Sequence, residues 1–471
     1  MSELNRSLGL YDVISLVIGT IVGADIYIAA SFGAGLLGPF AVVAWIIAGV
    51  MAIFIALCFA ECSSLVPQVG GPYAYAKRAF GDFTGFLAGW SLLIAEWSSI
   101  AVFPLAFVAY LEFFIPHMSS LLQIIIKFLF VLFLTAINFF GVRQAGKVND
   151  VLTILKIAPI LILTIAGIAY FIIKPSLLVA NFTPLAPLGF NGLGSAIVLI
   201  FWAYVGFELV TVPSDEIINS ERTIPLAIGI GMGVIALFYV VTNFVIVGLV
   251  PWMELSVSTA PLALAGYALI GAIGAGFLTV GALLSISGSD EAGILSAARI
   301  PYAMAADGLL PRVLAKVHPK YKTPYIALFV QSAVTLIAAI FGTISQLIIL
   351  SVFTLLFCYL LTCISVFPLR KKYKTGGFKL PWIFPVLGVV VAVYIMSQCA
   401  IYQIIIGSGL ILLGIPVYVL FAPRTEIKTV RRDLMLGEDY VSQTIERDEI
   451  FLAKFIKQVW ELIIRTRKRF S

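Results

Sequence analysis

The sequence predicts an all-α polytopic membrane protein with twelve transmembrane helices, and three observations carry that prediction. Of its 471 residues, 61% are hydrophobic and only 11% are charged. Apolar runs recur that reach the ~20 residues a bilayer-spanning helix needs, separated by Pro, Gly and charge. Lysine and arginine gather in alternate loops, the pattern that the positive-inside rule gives to a chain crossing a bilayer repeatedly.

Hydropathy places the spans at residues 11-35, 39-65, 83-114, 119-141, 148-173, 192-217, 224-250, 268-298, 324-341, 344-367, 383-401 and 404-421. Residues 1-10 form a short polar N-terminus. No small-residue cleavage site follows the first apolar run, so insertion is expected through the first helix itself. Twelve crossings return both ends to one side. Loops after even-numbered spans contain Lys77 and Arg78, Arg143 and Lys147, Arg222, then Arg312, Lys316, Lys320 and Lys322, and the Arg370 to Lys379 cluster, whereas loops after odd spans carry almost only Lys174. Both termini are therefore expected in the cytoplasm, with the protein in the cell membrane.

The net charge of +6 follows the same topology: eleven of the thirty Lys and Arg residues lie after Phe421 and five more between Arg370 and Lys379. That distribution argues against nucleic acid as a partner. Cys58, Cys62, Cys358, Cys363 and Cys399 all lie in apolar runs, where they act as small buried hydrophobes, and their spacing implies neither disulfides nor a metal site. The two histidines, His117 and His318, fall in loops, and no nucleophile-base pair appears, so neither an enzyme nor a cofactor is expected. No ring of charge or filter-like segment suggests a channel.

Within the first span, Ile18-Gly19-Thr20-Ile21-Val22-Gly23-Ala24-Asp25-Ile26 sets glycines and a carboxylate in an apolar run. A charge at mid-bilayer costs roughly 2.5 to 3.5 kcal/mol on insertion scales, and glycines there weaken the helix where freed backbone groups could hold a ligand. The stretch is read as the broken middle of a helix; the plainer alternative is an unbroken helix with Asp25 paired to a lysine. In the sixth span, Phe201-Trp202-Ala203-Tyr204-Val205-Gly206-Phe207-Glu208 combines a flexible point, large aromatics and a second buried acid. Interruptions in the first and sixth spans divide the chain into two five-helix halves, 11-173 and 192-367, inverted because five is odd, with a binding site expected at their interface. The alternative for Trp202 and Tyr204 is simple packing.

The other elements are read in turn. Gln68 to Tyr75, rich in Gly and Pro, is expected to be a non-helical cytoplasmic link. Glu96 lies at helical depth in the third span. Lys156 in the fifth is too deep to snorkel easily and must pair or stay neutral, as a proton carrier or in a static ion pair. Asp290 and Glu291 end the eighth span about 100 degrees apart, so at most one faces a given site squarely. Ala297 to Pro311 reads as a cytoplasmic helix and its stop. The spans of 383-421 hold no buried ionisable group and read as scaffold or oligomer contact. In the tail, 422-471, residues Glu446 to Phe470 form a basic amphipathic pattern suited to an anionic leaflet or a partner protein.

Four of these features, the glycine-broken first helix, Gly70-Gly71-Pro72-Tyr73-Ala74-Tyr75, Gly206-Phe207-Glu208 and Ala305-Ala306-Asp307-Gly308-Leu309-Leu310-Pro311, occur in the order and spacing of the amino acid-polyamine-organocation (APC) superfamily, which the chain resembles over all twelve spans. The resemblance implies two inverted five-helix repeats similar to those of the sodium-coupled leucine transporter, working by alternating access. It implies substrate contacts at Gly19, Gly23, Ala24 and Asp25 on the first helix and at Trp202, Ala203, Tyr204 and Gly206 on the sixth. Lys156 resembles the lysine that replaces sodium in proton-coupled members, Glu208 an acid of polyamine and basic amino acid carriers, and Leu93-Ile94-Ala95-Glu96-Trp97 a segment of cationic amino acid members.

One departure carries weight: Asp25 stands where the family usually has a glycine whose surroundings receive the substrate carboxylate. Two such charges ~4 Å apart repel by about 4 kcal/mol at an effective dielectric near 20. Asp290-Glu291 likewise replaces small or amide residues. The expected function is proton-coupled transport of amino acids or amines biased toward cations: an amine without a carboxylate, or a basic amino acid in a shifted pose. Exchange of an amino acid for an amine, neutral amino acid transport with Asp25 paired internally to Lys156, and substrate sensing through the tail remain open. So do sodium dependence and oligomeric state.

Overall fold

The computed structural model describes residues 8–68, 70–140, 145–212, 214, 217–321, 323–373 and 378–421, with backbone alone over 145–154. The expected tail helix at 446-470 and the charges Arg143 and Lys374 lie outside the described residues, and the side chain of Lys147 is likewise not described. The described residues form helices and turns with no strand; the one isolated bridge joins Leu8 to Ile217, where Ile218 N–H donates to Leu8 C=O at 2.9 Å.

The first apolar run makes two helices, α1 (Leu10–Ile21) and α2 (Ala24–Leu37), separated at Val22 and Gly23. A short turn leads into α3 (Ala41–Leu65). Next comes α4 (Gly71–Phe80), which corrects the expectation of a non-helical link. Gly70 takes φ 114 just ahead of the helix, and Pro72 occupies its first turn, where the missing N–H costs nothing. The same Gly-Gly-Pro that reads as a breaker is thus the start signal of a helix whose body is Tyr73 to Phe80.

The third span is α5 (Asp82–Ile100) continued by α6 (Val102–Leu111). It is followed by α7 (Ser120–Phe140), α8 (Ala145–Ile173) and the short α9 (Pro175–Asn181). The sixth begins as α10 (Leu193–Phe201), tightens to 3-10 geometry over Trp202–Tyr204, opens at Val205 and Gly206, and resumes as a 3-10 turn over Phe207–Thr211. Beyond it lie α11 (Ser220–Leu249), α12 (Trp252–Val257) and α13 (Pro261–Ala297), the last divided by non-helical Ile270 and Gly271. The helix and stop expected over Ala297 to Pro311 are α14 (Arg299–Ala306) and the turn after it. The chain ends in α15 (Tyr325–Phe341), α16 (Ile344–Lys372), α17 (Ile383–Ser397), α18 (Ile401–Leu412) and α19 (Gly414–Phe421).

Nine helical segments among the described residues are long and apolar enough to cross a membrane, and Leu10–Ile21, Tyr325–Phe341 and Ile383–Ser397 are shorter apolar helices. The protein is thus an all-helical, multi-pass membrane protein. Outward faces of α7, α8 and α18 carry Leu121, Phe133, Ile165 and Ile405 to the surface, as expected of helices solvated by lipid. Inside, α1 and α2 pack among α3, α11 and α13, and Trp45, Tyr204 and Tyr239 form an aromatic cluster with ring centroids 5.5 to 5.8 Å apart. All five cysteines are buried and free.

Candidate functional site

Breaking a helix inside a membrane frees backbone groups that must find partners within the protein. At the C-terminal end of α1, the carbonyl of Ile21 accepts from Tyr239 Oη at 3.2 Å and that of Val22 from Ser289 Oγ at 3.0 Å. At the N-terminal end of α2, Asp25 Oδ1 accepts the N–H groups of Gly23 at 2.8 Å and Ile26 at 2.9 Å, and Tyr239 Oη donates to Oδ2 at 3.4 Å. Asp25 is buried. Its carboxyl group sits where the helix dipole is positive and two backbone donors converge. Among the described residues no ion pair joins Asp25 to Lys156.

The sixth span repeats the device. Glu208 Oε2 accepts the N–H of Gly206 at 3.0 Å and the hydroxyl of Tyr359 at 2.5 Å, while Oε1 has no hydrogen-bond partner among the described residues. Gly206 takes φ 121, and a Cβ placed on it would lie 2.9 Å from the carbonyl oxygen of Thr20. The two breaks therefore touch backbone to backbone, which only glycine permits.

Between them lies a cavity of about 60 Å³ lined by Thr20, Gly23 and Asp25 of the first break, Glu96, Ser99 and Phe103 of the third span, Trp202, Gly206 and Glu208 of the sixth, and Ser289 and Gly293 of α13. Three carboxylates share its wall with no lysine or arginine among the described lining residues. The volume is well under the ~300 Å³ at which ligand pockets usually begin, so in this conformation the cavity is closed to a molecule of many heavy atoms. Trp202 Nε1 donates to Ser99 Oγ at 2.9 Å, fixing the indole against the third span.

Of the residues singled out in the sequence, Gly23, Asp25, Glu96, Trp202, Gly206 and Glu208 meet at this cavity. The others stand away from its wall. Gly19 is one turn back in α1, and Ala24 and Ala203 are wholly buried in packing. Tyr204 points behind the break, donating to the carbonyl of Trp45 at 2.9 Å. Asp290 is buried with both carboxylate oxygens lacking a hydrogen-bond partner among the described residues, and Glu291 is on a neighbouring helical face; the next residue back, Ser289, reaches the cavity instead. Lys156 lies behind Ser289 and donates to its Oγ at 3.1 Å. A chain of polar groups thus runs from α8 through α13 to the freed carbonyl of Val22. Ser289, Tyr239, Tyr359 and Ser99 were not legible as partners, because Ser and Tyr are common in apolar helices and their roles depend on which helices meet. Among the described residues no group of His, Cys, Asp and Glu could hold a metal ion.

The comparisons with known proteins converge on one family. The branched-chain amino acid permease BcaP of Bacillus subtilis (strain 168) is 26% identical over 445 residues, 89% of this chain and 94% of that protein. The methylthioribose transporter of the same organism is 31% identical over 414 residues, 83% of this chain and 87% of that protein. The cationic amino acid transporter 4 of Mus musculus is 29% identical over 388 residues, 78% of this chain and 60% of that protein. These relatives are transporters, not enzymes. An amino acid permease family model matches residues 8–422, nearly the whole described chain. The chain belongs to that family, within the APC superfamily, and is an amino acid permease by descent.

Proposed function

We propose that the protein is a secondary active, proton-coupled transporter of amino acids or amines with a bias toward cations, working by alternating access in the cell membrane. In this reading the chain crosses twelve times with both termini cytoplasmic: the run Ala24–Leu65 holds the second half of the first span and all of the second, and the shorter helices supply the remaining crossings. Residues 11-173 and 192-367 are then inverted five-helix repeats, 383-421 a scaffold pair, and 422-471 a cytoplasmic tail on the leaflet or a partner. The matching Gly-x-acid capping of the two breaks supports the repeat.

The observation that carries the cationic bias is the cavity wall, where Asp25, Glu96 and Glu208 converge without a cation among the described lining residues. Electrostatic attraction in a dry site discriminates strongly between charge types. Lys156 is proposed as the proton carrier: the one hydrogen bond of its ammonium among the described residues is to Ser289, which also holds Val22 at the break, so losing or gaining a proton there alters the tie between α8, α13 and the first span. Coupling requires that the proton bind the two states of the carrier unequally, and a tie that reaches the break at Val22 is placed to supply that difference.

A second reading, transport of uncharged substrates, is supported by the names of the branched-chain and methylthioribose relatives. Uptake into proteoliposomes tests both. Labelled lysine, cadaverine, leucine and methylthioribose are offered under an imposed pH gradient, an imposed sodium gradient, or with unlabelled substrate preloaded inside. Accumulation of a cation driven by the pH gradient supports the proposal. Uptake of leucine or methylthioribose alone favours the second reading, and uptake that requires preloading indicates exchange.

A further inference from the structure

We infer that the substrate held between the two breaks carries no carboxylate, because Asp25 already fills the place where the first broken helix would bind one. The inference rests on the reading of this cavity as the transport site and narrows its substrate class.

A half-helix whose N-terminus opens into a membrane protein presents unpaired N–H groups and the positive end of its dipole, and carriers use such ends to seat anionic substrate groups. In α2 that seat is taken. One oxygen of Asp25 bridges the N–H groups of Gly23 and Ile26, and the other receives the hydroxyl of Tyr239. The acid is covalently attached two residues from the glycine it binds, so its effective concentration at the seat is far above that of any free ligand. A substrate carboxylate would have to expel it and then bury two like charges together.

The opposite wall gives an independent indication. Glu208 is 1% exposed, lines the same cavity, and leaves Oε1 without a hydrogen-bond partner among the described residues. A buried carboxylate oxygen in that condition calls for a donor, not another acceptor. Glu96 adds a further acceptor, while Trp202 and Phe103 offer aromatic faces to an alkyl stem or a cationic group. An ammonium or guanidinium on a short apolar stem satisfies every one of these groups. The same head group bearing an α-carboxylate satisfies them and then adds a second acid beside Asp25, which already holds the N–H groups of Gly23 and Ile26.

The test compares ligands that differ only by the carboxylate, lysine with cadaverine and leucine with isopentylamine, with methylthioribose beside them, for binding to the purified full chain by titration calorimetry. In the wild type each amine is expected to bind at least about ten-fold more tightly than its amino acid, a difference of about 1.4 kcal/mol. In Asp25→Gly, which vacates the seat, that preference is expected to vanish or reverse, with lysine gaining affinity. Asp25→Asn, which keeps an acceptor for the two amides, serves should the glycine variant fold poorly; it is expected to lower the preference without reversing it. Equal or tighter binding of lysine than of cadaverine to the wild type overturns the inference while leaving a cationic carrier intact. Binding of leucine alone overturns both. Methylthioribose binding in place of the amines overturns the cationic bias and sustains the carboxylate-free site.

Discussion

Asp25 and Glu208 are bonded alike: each carboxylate accepts the backbone N–H of the glycine two residues before it, Gly23 at 2.8 Å and Gly206 at 3.0 Å, at the one point where each broken span opens. The arrangement is local in sequence and sits at the centre of the molecule. Its structural consequence is that the amides of Gly23, Ile26 and Gly206, released by unwinding, are paired from within the chain. Asp25→Ala leaves the N–H groups of Gly23 and Ile26 buried without an acceptor, and a buried unpaired group costs roughly 1–3 kcal/mol. A fall in the melting temperature of the detergent-purified protein is expected, largely restored in Asp25→Asn. Equal stability of the alanine variant and the wild type would show that other groups satisfy these amides.

Gly206 allows a second prediction. Its φ of 121 lies where side chains are strained, and a Cβ would come within 2.9 Å of the carbonyl oxygen of Thr20. Gly206→Ala must push the two breaks apart, with a strain of order 1–3 kcal/mol for the backbone alone. Because the displaced atoms form the cavity wall, uptake is expected to fall far more than protein yield; unchanged initial rates would separate the backbone contact from transport.

The broad plan of the molecule was legible because it rests on long-range averages: apolar runs, the glycines of the breaks, and two acids too costly to bury idly. Details fixed by tertiary contact were not. The helix α4 hid behind Gly-Gly-Pro because those residues break a helix in its interior but start one at its end. Lys127 shows a harder limit. Like Lys156 it lies in an apolar span, yet it donates to the carbonyl of Ala339 at 3.0 Å and ties α7 to α15, far from the breaks. Only the neighbouring helix distinguishes the two lysines. The same holds for Asp290, whose helical face, one step round from Ser289, takes it off the cavity.

Lys156 supplies the third prediction. If its ammonium is the coupling proton's site, Lys156→Ala removes the dependence of uptake on external pH and on an imposed pH gradient, while exchange of internal for external substrate continues. Ser289→Ala, which cuts the link to Val22, is expected to slow uptake yet keep the pH dependence. Initial rates across mildly acidic to mildly alkaline buffers decide the matter, and an unaltered profile in Lys156→Ala removes that residue from coupling.

A fourth concerns the ion cluster at the junction of α4 and α5, where Lys77 of α4 pairs with Asp82 at 3.1 Å and Asp307 at 3.2 Å, and Tyr73 donates to Asp307 at 2.6 Å. Partial burial opposes the charge on Lys77, and the two carboxylates more than offset it, so the pKa of the amine is raised. A raised lysine pKa means stability that is present at neutral pH and lost only as the pH rises past the lysine range. The groups are partly exposed, and such pairs are worth ~0–1 kcal/mol and weaken with salt. Asp307→Asn is therefore expected to lower thermal stability slightly at neutral pH, with the gap to the wild type closing in high salt and in strong alkali.

The pair of Glu61 and Arg370 behaves differently because it is sealed. The guanidinium meets both oxygens of Glu61, at 2.5 and 2.6 Å, and also donates to the carbonyl of Leu380 at 2.7 Å, while the N–H of Leu380 donates back to Glu61 at 3.2 Å. The side chains are 0% and 5% exposed, and Trp382 covers the guanidinium at 4.5 Å. This cluster fastens α3, α16 and the approach to α17 at one point. Removing a single partner strands a buried charge, a loss of about 3–5 kcal/mol, whereas replacing both with apolar residues of similar volume is far milder. Glu61→Ala and Arg370→Ala are each expected to unfold at much lower temperature or fail to accumulate, and Glu61→Leu combined with Arg370→Met to recover most of the loss. A double variant as unstable as either single one would mean that the contacts to Leu380, and not the charges, hold this corner.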